Sequence, residues 1–109
     1  MPAFVYILRC ADGRYYVGST RGDTPDRRIG EHVGGEFPGF TRARRPVTVV
    51  HVEEFQRITD AVAAERRIKG WSRSKKEALI AGDWDLLQHL AKRPAARRKI
   101  GAKLHRDTP

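Results

Sequence analysis

Glu65 falls on an apolar stripe. Four residues after Ala61 and three before Ile68, it lies on the helix face that Ala61, Ala64, Ile68 and Trp71 are expected to bury. A bare carboxylate there is costly, so it must be paired, metal-bound or protonated. In an earlier helical stretch Arg28 and His32 stand at i and i+4, and both side chains project toward one spot. Two tyrosines, Tyr6 and Tyr16, sit ten residues apart on two β-rich segments. A guanidinium forks onto phosphate oxygens better than an ammonium does, and a carboxylate suits a hard divalent cation. These types together fit the chemistry of an anionic substrate.

Particular elements must position them. Phe4-Val5-Tyr6-Ile7-Leu8 and Arg14-Tyr15-Tyr16-Val17-Gly18 read as strands, joined through Ala11-Asp12-Gly13. A three-residue loop ending in glycine suits a type I turn with a glycine bulge. If it closes on Cys10 opposite Arg14, Tyr6 faces Gly18 and Leu8 faces Tyr16. Both tyrosines then emerge on one sheet face as diagonal neighbours, ~7–8 Å apart at the backbone. Thr24-Pro25 opens a helix that runs to about Val33 and stops at Gly34-Gly35, with Ile29 and Val33 as its apolar stripe. Residues 36–46 form a loop with phosphate-binding potential in Arg42, Arg44 and Arg45. Val47 to Phe55 is a third, valine-rich strand. Thr59 or Asp60 caps the helix that carries Glu65, and Ser74-Lys75-Lys76-Glu77 matches a capping box opening another helix to about Ala81. Gly82 breaks that helix, and Asp83 begins a last one through Leu90.

The fold class expected is α/β in the α+β sense: a small three-stranded, mainly antiparallel sheet flanked by helices, with a basic C-terminal arm. One domain of residues 1–91 and a basic tail of 92–109 account for the length. The longest early apolar run, Ala3 to Leu8, is too short for a signal peptide or membrane span. A lone cysteine, Cys10, excludes an internal disulfide and reads as a small buried hydrophobe. We read the chain as cytoplasmic, with no membrane partner.

Charge narrows the partner. Twenty-two Lys plus Arg against thirteen Asp plus Glu leaves +9, a field that attracts polyanions, nucleic acid first among them. Residues 92–109 hold seven basic side chains and one acid, six of the nine net charges. That arm, with Arg97, Arg98 and Lys99, is expected to contact a phosphate backbone.

With these residues in place, the sequence resembles the GIY-YIG nuclease superfamily. Val5-Tyr6 and Tyr16-Val17-Gly18 look like the two halves of its signature. The helix with Arg27-Arg28-Ile29-Gly30-Glu31-His32 and the later one with Ala64-Glu65-Arg66-Arg67-Ile68-Lys69 follow in the family's order. Trp71-Ser72-Arg73-Ser74-Lys75-Lys76 is similar to small single-domain members related to the nuclease domain of the bacterial excision-repair endonuclease. The resemblance spans residues 3 to 82. Phe4 stands where the first glycine of the signature would be, and the asparagine that closes the site in some members has no clear counterpart. The loop from Gly18 to Arg28 is about two residues longer than in many relatives, which makes Arg27 and Arg28 rivals. We take Arg28, because His32 follows at i+4.

The resemblance implies catalytic roles for Tyr6, Tyr16, Arg28, His32 and Glu65, with Glu65 holding one Mg²⁺ or Mn²⁺. Tyrosine at its reference pKa of ~10 is a poor base; an arginine, an imidazole and a metal-bound water make its phenolate more accessible. Tyr6 or Tyr16 is then the general base, and His32 positions or deprotonates it. Arg27, Arg42, Arg44, Arg45, Lys69, Arg73, Lys75, Arg97, Arg98 and Lys99 are the candidate nucleic-acid contacts. A competing role for Glu65, an i,i+4 bridge to Lys69, is opposed by its wheel position.

The function expected is a metal-dependent DNA endonuclease, acting on branched, damaged or single-stranded DNA with structure or weak sequence preference and belonging to DNA repair. The alternative is a non-catalytic nucleic-acid-binding module on the same fold, recruited by a protein partner. An RNA-directed role driven by charge is a third reading.

Overall fold

β1 (Ala3–Arg9) is the central strand of a three-stranded sheet ordered β2-β1-β3, in which β2 (Tyr15–Arg21) and β3 (Thr48–Phe55) both pair with it antiparallel. This computed structural model describes residues 1–36 and 38–91, so the basic tail with Arg97, Arg98 and Lys99 lies outside the described residues. Two units are distinguished, Met1–Gly70 and the part from Trp71 onward.

Central placement explains the unbroken apolar run of β1. Ala3 to Leu8 are buried on both faces, and each large side chain removed from water contributes about 1.5–3 kcal/mol. The hairpin has the expected register, with Tyr6 opposite Gly18 and Leu8 opposite Tyr16. Cys10 N–H donates to the Arg14 carbonyl at 2.8 Å and Gly13 N–H to the Cys10 carbonyl at 2.9 Å. Gly13 takes φ 87°, a left-handed value that glycine adopts without a Cβ clash. β2 runs three residues further than the sequence suggested, to Arg21. A bulge between Ile7 and Leu8 interrupts the pairing of β1 with β3.

α1 (Asp26–Val33) follows β2. The Asp26 N–H donates to Thr24 Oγ1 at 3.2 Å, and Gly35 turns the chain with φ 75°. One expectation fails here: Val33 is exposed and His32 is the buried member of α1. The helix is rotated so that the stripe holding Arg28 and His32 turns inward, and two hydrogen bonds offset the burial of the imidazole. A 3₁₀ turn at Arg42–Arg44 interrupts the loop that follows.

α2 (Ile58–Lys69) packs on the sheet through Ala61, Ala64 and Ile68. The two alanines let the helix backbone approach the strands. It begins earlier than the expected cap at Thr59 or Asp60, because the Arg57 carbonyl already accepts from the N–H groups of Asp60 and Ala61 at 3.2 Å. Thr59 and Asp60 therefore lie inside the first turn, where an acid suits the helix dipole. Trp71 lies past the helix end, which Gly70 closes.

In the second unit α3 (Arg73–Ala81) is capped by Ser72, whose hydroxyl accepts from Lys75 N–H at 3.2 Å. The expected capping box at Ser74 is thus displaced by two residues, and Glu77 pairs with Arg73 at 3.1 Å. Gly82 ends the helix with φ 70°. α4 (Trp84–Ala91) begins behind Asp83, which accepts from Leu86 N–H. No described helix is long and apolar enough to cross a membrane.

Candidate active site

Tyr6 projects from β1 across Gly18 of β2, and its hydroxyl meets His32 Nε2 at 3.1 Å. It also receives a hydrogen bond from the Arg28 guanidinium. The opposite ring nitrogen, His32 Nδ1, lies 2.6 Å from Thr41 Oγ1. Tyr6, His32 and Thr41 are each about 1% exposed, so this is a dry polar chain. Tyr16 completes an aromatic wall. Its ring centre stands 6.5 Å from Tyr6, 4.9 Å from His32 and 6.0 Å from Phe40. These rings cap an apolar cluster of Leu8, Cys10, Val47 and Ile29.

Burial pushes the Tyr6 phenol upward, well above its ordinary value; Tyr16 adds to this and Arg28 opposes it. Desolvation, then Arg28, pulls the His32 imidazole downward, with Glu31 opposing. Both groups are therefore held neutral near pH 7. The easier phenolate expected beside an arginine and an imidazole is outweighed by desolvation among these residues alone.

Glu65 reaches the same strand from the other side. Its Oε1 accepts from Ser19 Oγ at 2.5 Å and its Oε2 meets Lys69 Nζ at 2.7 Å. Gly18 and Ser19 are neighbours on an edge strand, so successive positions face opposite sides of the sheet. Tyr6 passes over Gly18 on one face and Glu65 grips Ser19 on the other. The two halves of the site meet around the β2 edge. The i,i+4 bridge to Lys69 does form, contrary to the wheel-based expectation, because the long lysine side chain curls back along the helix to a carboxylate that keeps 17% of its side-chain surface.

A depression of about 380 Å³ opens beside this edge, lined by Ser19, Thr20, Arg21, Arg27, Arg28 and Glu31 among others. Three guanidiniums against one carboxylate make it electropositive. Arg28 is the arginine that reaches Tyr6, and it also pairs with Glu31 at 3.3 Å. Arg27 is almost fully exposed and meets Glu31 at 3.5 Å.

The loop arginines have separate engagements. Arg44 meets Asp12 at 3.2 Å, donates to the Phe40 carbonyl at 3.0 Å and stacks 3.9 Å over the Phe40 ring centre. Arg45 donates to the carbonyls of Gly34 and Arg42. Both hold residues 38–46 against the hairpin and α1, while Arg42 is exposed. In the second unit Arg73 pairs with Glu77, and Lys75 lies 4.4 Å over the Trp71 ring.

Ser19, Phe40 and Thr41 were not singled out from the sequence. Ser19 was legible in principle, since pleat alternation after Gly18 turns it toward the helix with the anomalous Glu65. Thr41 lies in a loop without periodicity, and no local signal marks it.

Among the described residues no three His, Cys, Asp or Glu side chains converge as a metal cage. One carboxylate beside a hydroxyl instead suits a hydrated hard cation such as Mg²⁺, which keeps most of its waters.

The comparisons agree with this geometry. Residues 2–78 match the model of the GIY-YIG catalytic domain. The chain is 45% identical over 76 residues to UPF0213 protein VNG_2274C of Halobacterium salinarum, covering 70% of this chain and 96% of that protein. It is 44% identical to UPF0213 protein NP_0776A of Natronomonas pharaonis, covering 73% and 92%. The solution structure of protein EF2693 from E. faecalis superposes with a TM-score of 0.51 at 33% identity, over 75% of this chain and 85% of that one. The chain belongs to the GIY-YIG catalytic-domain family, a family of nucleases.

Proposed function

We propose that the protein is a metal-dependent DNA endonuclease that hydrolyses phosphodiester bonds in the cytoplasm, with structure or weak sequence preference. One observation carries this: the Tyr6 hydroxyl is shared by Arg28 and His32 beside the strand that Glu65 grips from the opposite face. A divalent cation, Mg²⁺ or Mn²⁺, held by Glu65 would neutralise the phosphoryl oxygens and the departing 3′-oxygen. Arg28 lines the electropositive depression and forks onto the scissile phosphate, with Arg27 and Arg21 on the flanking backbone. Tyr6 is the general base in this reading. Its phenol is too strongly protonated to act as a free phenolate, so it takes a proton from water only as it passes its own to His32. Tyr16 packs on both partners and fixes their geometry.

The Lys69 ammonium at 2.7 Å favours a second reading. It already neutralises Glu65, as a binding module without metal would require. Cleavage assays separate the two. Single-stranded, duplex and branched DNA are incubated with Mg²⁺, Mn²⁺ or chelator, using the native protein, Glu65→Ala and Arg28→Ala. The nuclease reading expects metal-dependent cutting that falls at least about 100-fold in both variants. Binding without cutting in every sample would establish the module instead.

A further inference from the structure

Thr41 lies nine residues beyond His32 on an irregular loop, yet its hydroxyl is buried against the imidazole at 2.6 Å. The direction of this bond follows from its neighbours. Arg28 has only donors, so its bond to Tyr6 uses the phenol oxygen as acceptor. The phenol hydrogen is then left to donate, and a buried hydroxyl hydrogen needs an acceptor. His32 Nε2 stands 3.1 Å away and fills that need only if it carries no hydrogen. A neutral imidazole has one N–H, which must therefore sit on Nδ1 and point at Thr41 Oγ1.

We infer that Thr41 is a positioning residue, whose buried hydroxyl accepts the Nδ1–H of His32 and fixes the tautomer that presents the Nε2 lone pair to Tyr6. This rests on the proposed hydrolysis with Tyr6 as proton carrier. The order of donation is Arg28 to Tyr6, Tyr6 to His32, His32 to Thr41. The groups facing the imidazole are Tyr6 and Tyr16 from the sheet, Arg28 and Glu31 from α1, and Thr41 from the loop. In the reaction the phenol proton moves to Nε2 and the phenol oxygen takes a proton from water. The resulting hydroxide forms the new P–O bond as the P–O3′ bond breaks. His32 leaves this step as an imidazolium, still held by Thr41 through Nδ1–H. It later releases the proton to solvent, while the 3′-oxygen takes one from solvent.

The opposite tautomer would put a hydrogen on Nε2, against the Tyr6 hydroxyl, and remove the acceptor. Removing a partner that orients an imidazole costs roughly 10- to 100-fold in related sites.

The test joins two readouts on the full chain. Nitrogen-15 NMR of histidine-labelled protein reports which ring nitrogen of His32 bears the proton. Cleavage is followed across pH for the native protein, Thr41→Val and Thr41→Ser. We expect Nδ1–H in the native protein and in Thr41→Ser. Thr41→Val should give a mixed or reversed tautomer, with kcat down about 10- to 100-fold, KM nearly unchanged and an altered pH profile. Thr41→Ser should recover most of the rate. A native His32 protonated on Nε2 would overturn the assignment, and so would a Thr41→Val protein that keeps both tautomer and pH profile. If the native protein cuts no DNA, the hydrolase reading fails, yet the native tautomer still decides whether Thr41 orients the ring.

Discussion

The Tyr6 ring lies directly over Gly18, its cross-strand partner: a Cβ added at position 18 would stand 2.5 Å from Tyr6 Oη and 2.6 Å from Cζ. The glycine is thus required for a close approach, since only a bare Cα lets the phenol cross β2 to His32. Gly18→Ala should push the ring off Nε2 and lose about 1–3 kcal/mol of stability. Cleavage should fall at least about tenfold below the melting range, because the proton route is broken. Thermal melts and cleavage rates, measured together, check this. An alanine variant with native values in both would show that the ring has another path.

Lys69 and a divalent ion compete for the same carboxylate. Replacing Lys69 by Met removes the ammonium 2.7 Å from Glu65 Oε2 but keeps an unbranched apolar stem. Affinity for Mn²⁺ should rise about two- to fivefold, the effect of losing a partly exposed ion pair. Calorimetric titration of the protein without DNA reads this directly. Unchanged or weaker binding would mean that the ion does not use this carboxylate.

His32 makes stability depend on pH. Its folded-state pKa lies below the ordinary 6.5, mainly through burial and next through Arg28. As pH falls through 6.5 the unfolded chain takes up a proton that the folded chain refuses. Stability is therefore full above 6.5 and declines as pH drops toward the folded value. Urea midpoints at about pH 7.5 and about pH 5.5 should differ in the native protein, and His32→Gln should narrow that difference. An equal difference in both proteins would place the pH dependence elsewhere.

Arg44 anchors the loop that carries Phe40 and Thr41. Its bonds to Asp12 and the Phe40 carbonyl, and its place over the Phe40 ring, lie on partly covered surface. Arg44→Ala should lower stability by about 1–2 kcal/mol and leave the salt dependence of DNA affinity nearly unchanged. A salt slope reduced by about one unit would instead show that Arg44 contacts phosphate.

Several features of this protein were legible one segment at a time. The length of the Ala11-Asp12-Gly13 turn and the glycine at its end set the hairpin register, which places Tyr6 over Gly18 and Leu8 opposite Tyr16. An acid between Ala61 and Ile68 announced that Glu65 needed a partner, and Ser19 and Lys69 supply it. Turn chemistry and side-chain period are local, so the order of residues alone carries them.

Helix rotation and loop path belong to the tertiary structure. Periodicity pointed to Ile29 and Val33 as the inner stripe of α1, yet packing selects His32 and leaves Val33 exposed. The bonds that define the site join residues 26 apart for Tyr6 and His32, and 46 apart for Ser19 and Glu65. Thr41 reaches His32 only because Arg44 and Arg45 hold its loop in place. A helix can turn about its axis at little local cost, and an aperiodic loop has no preferred path of its own. Only the satisfaction of buried hydrogen bonds across the folded chain chooses among those arrangements.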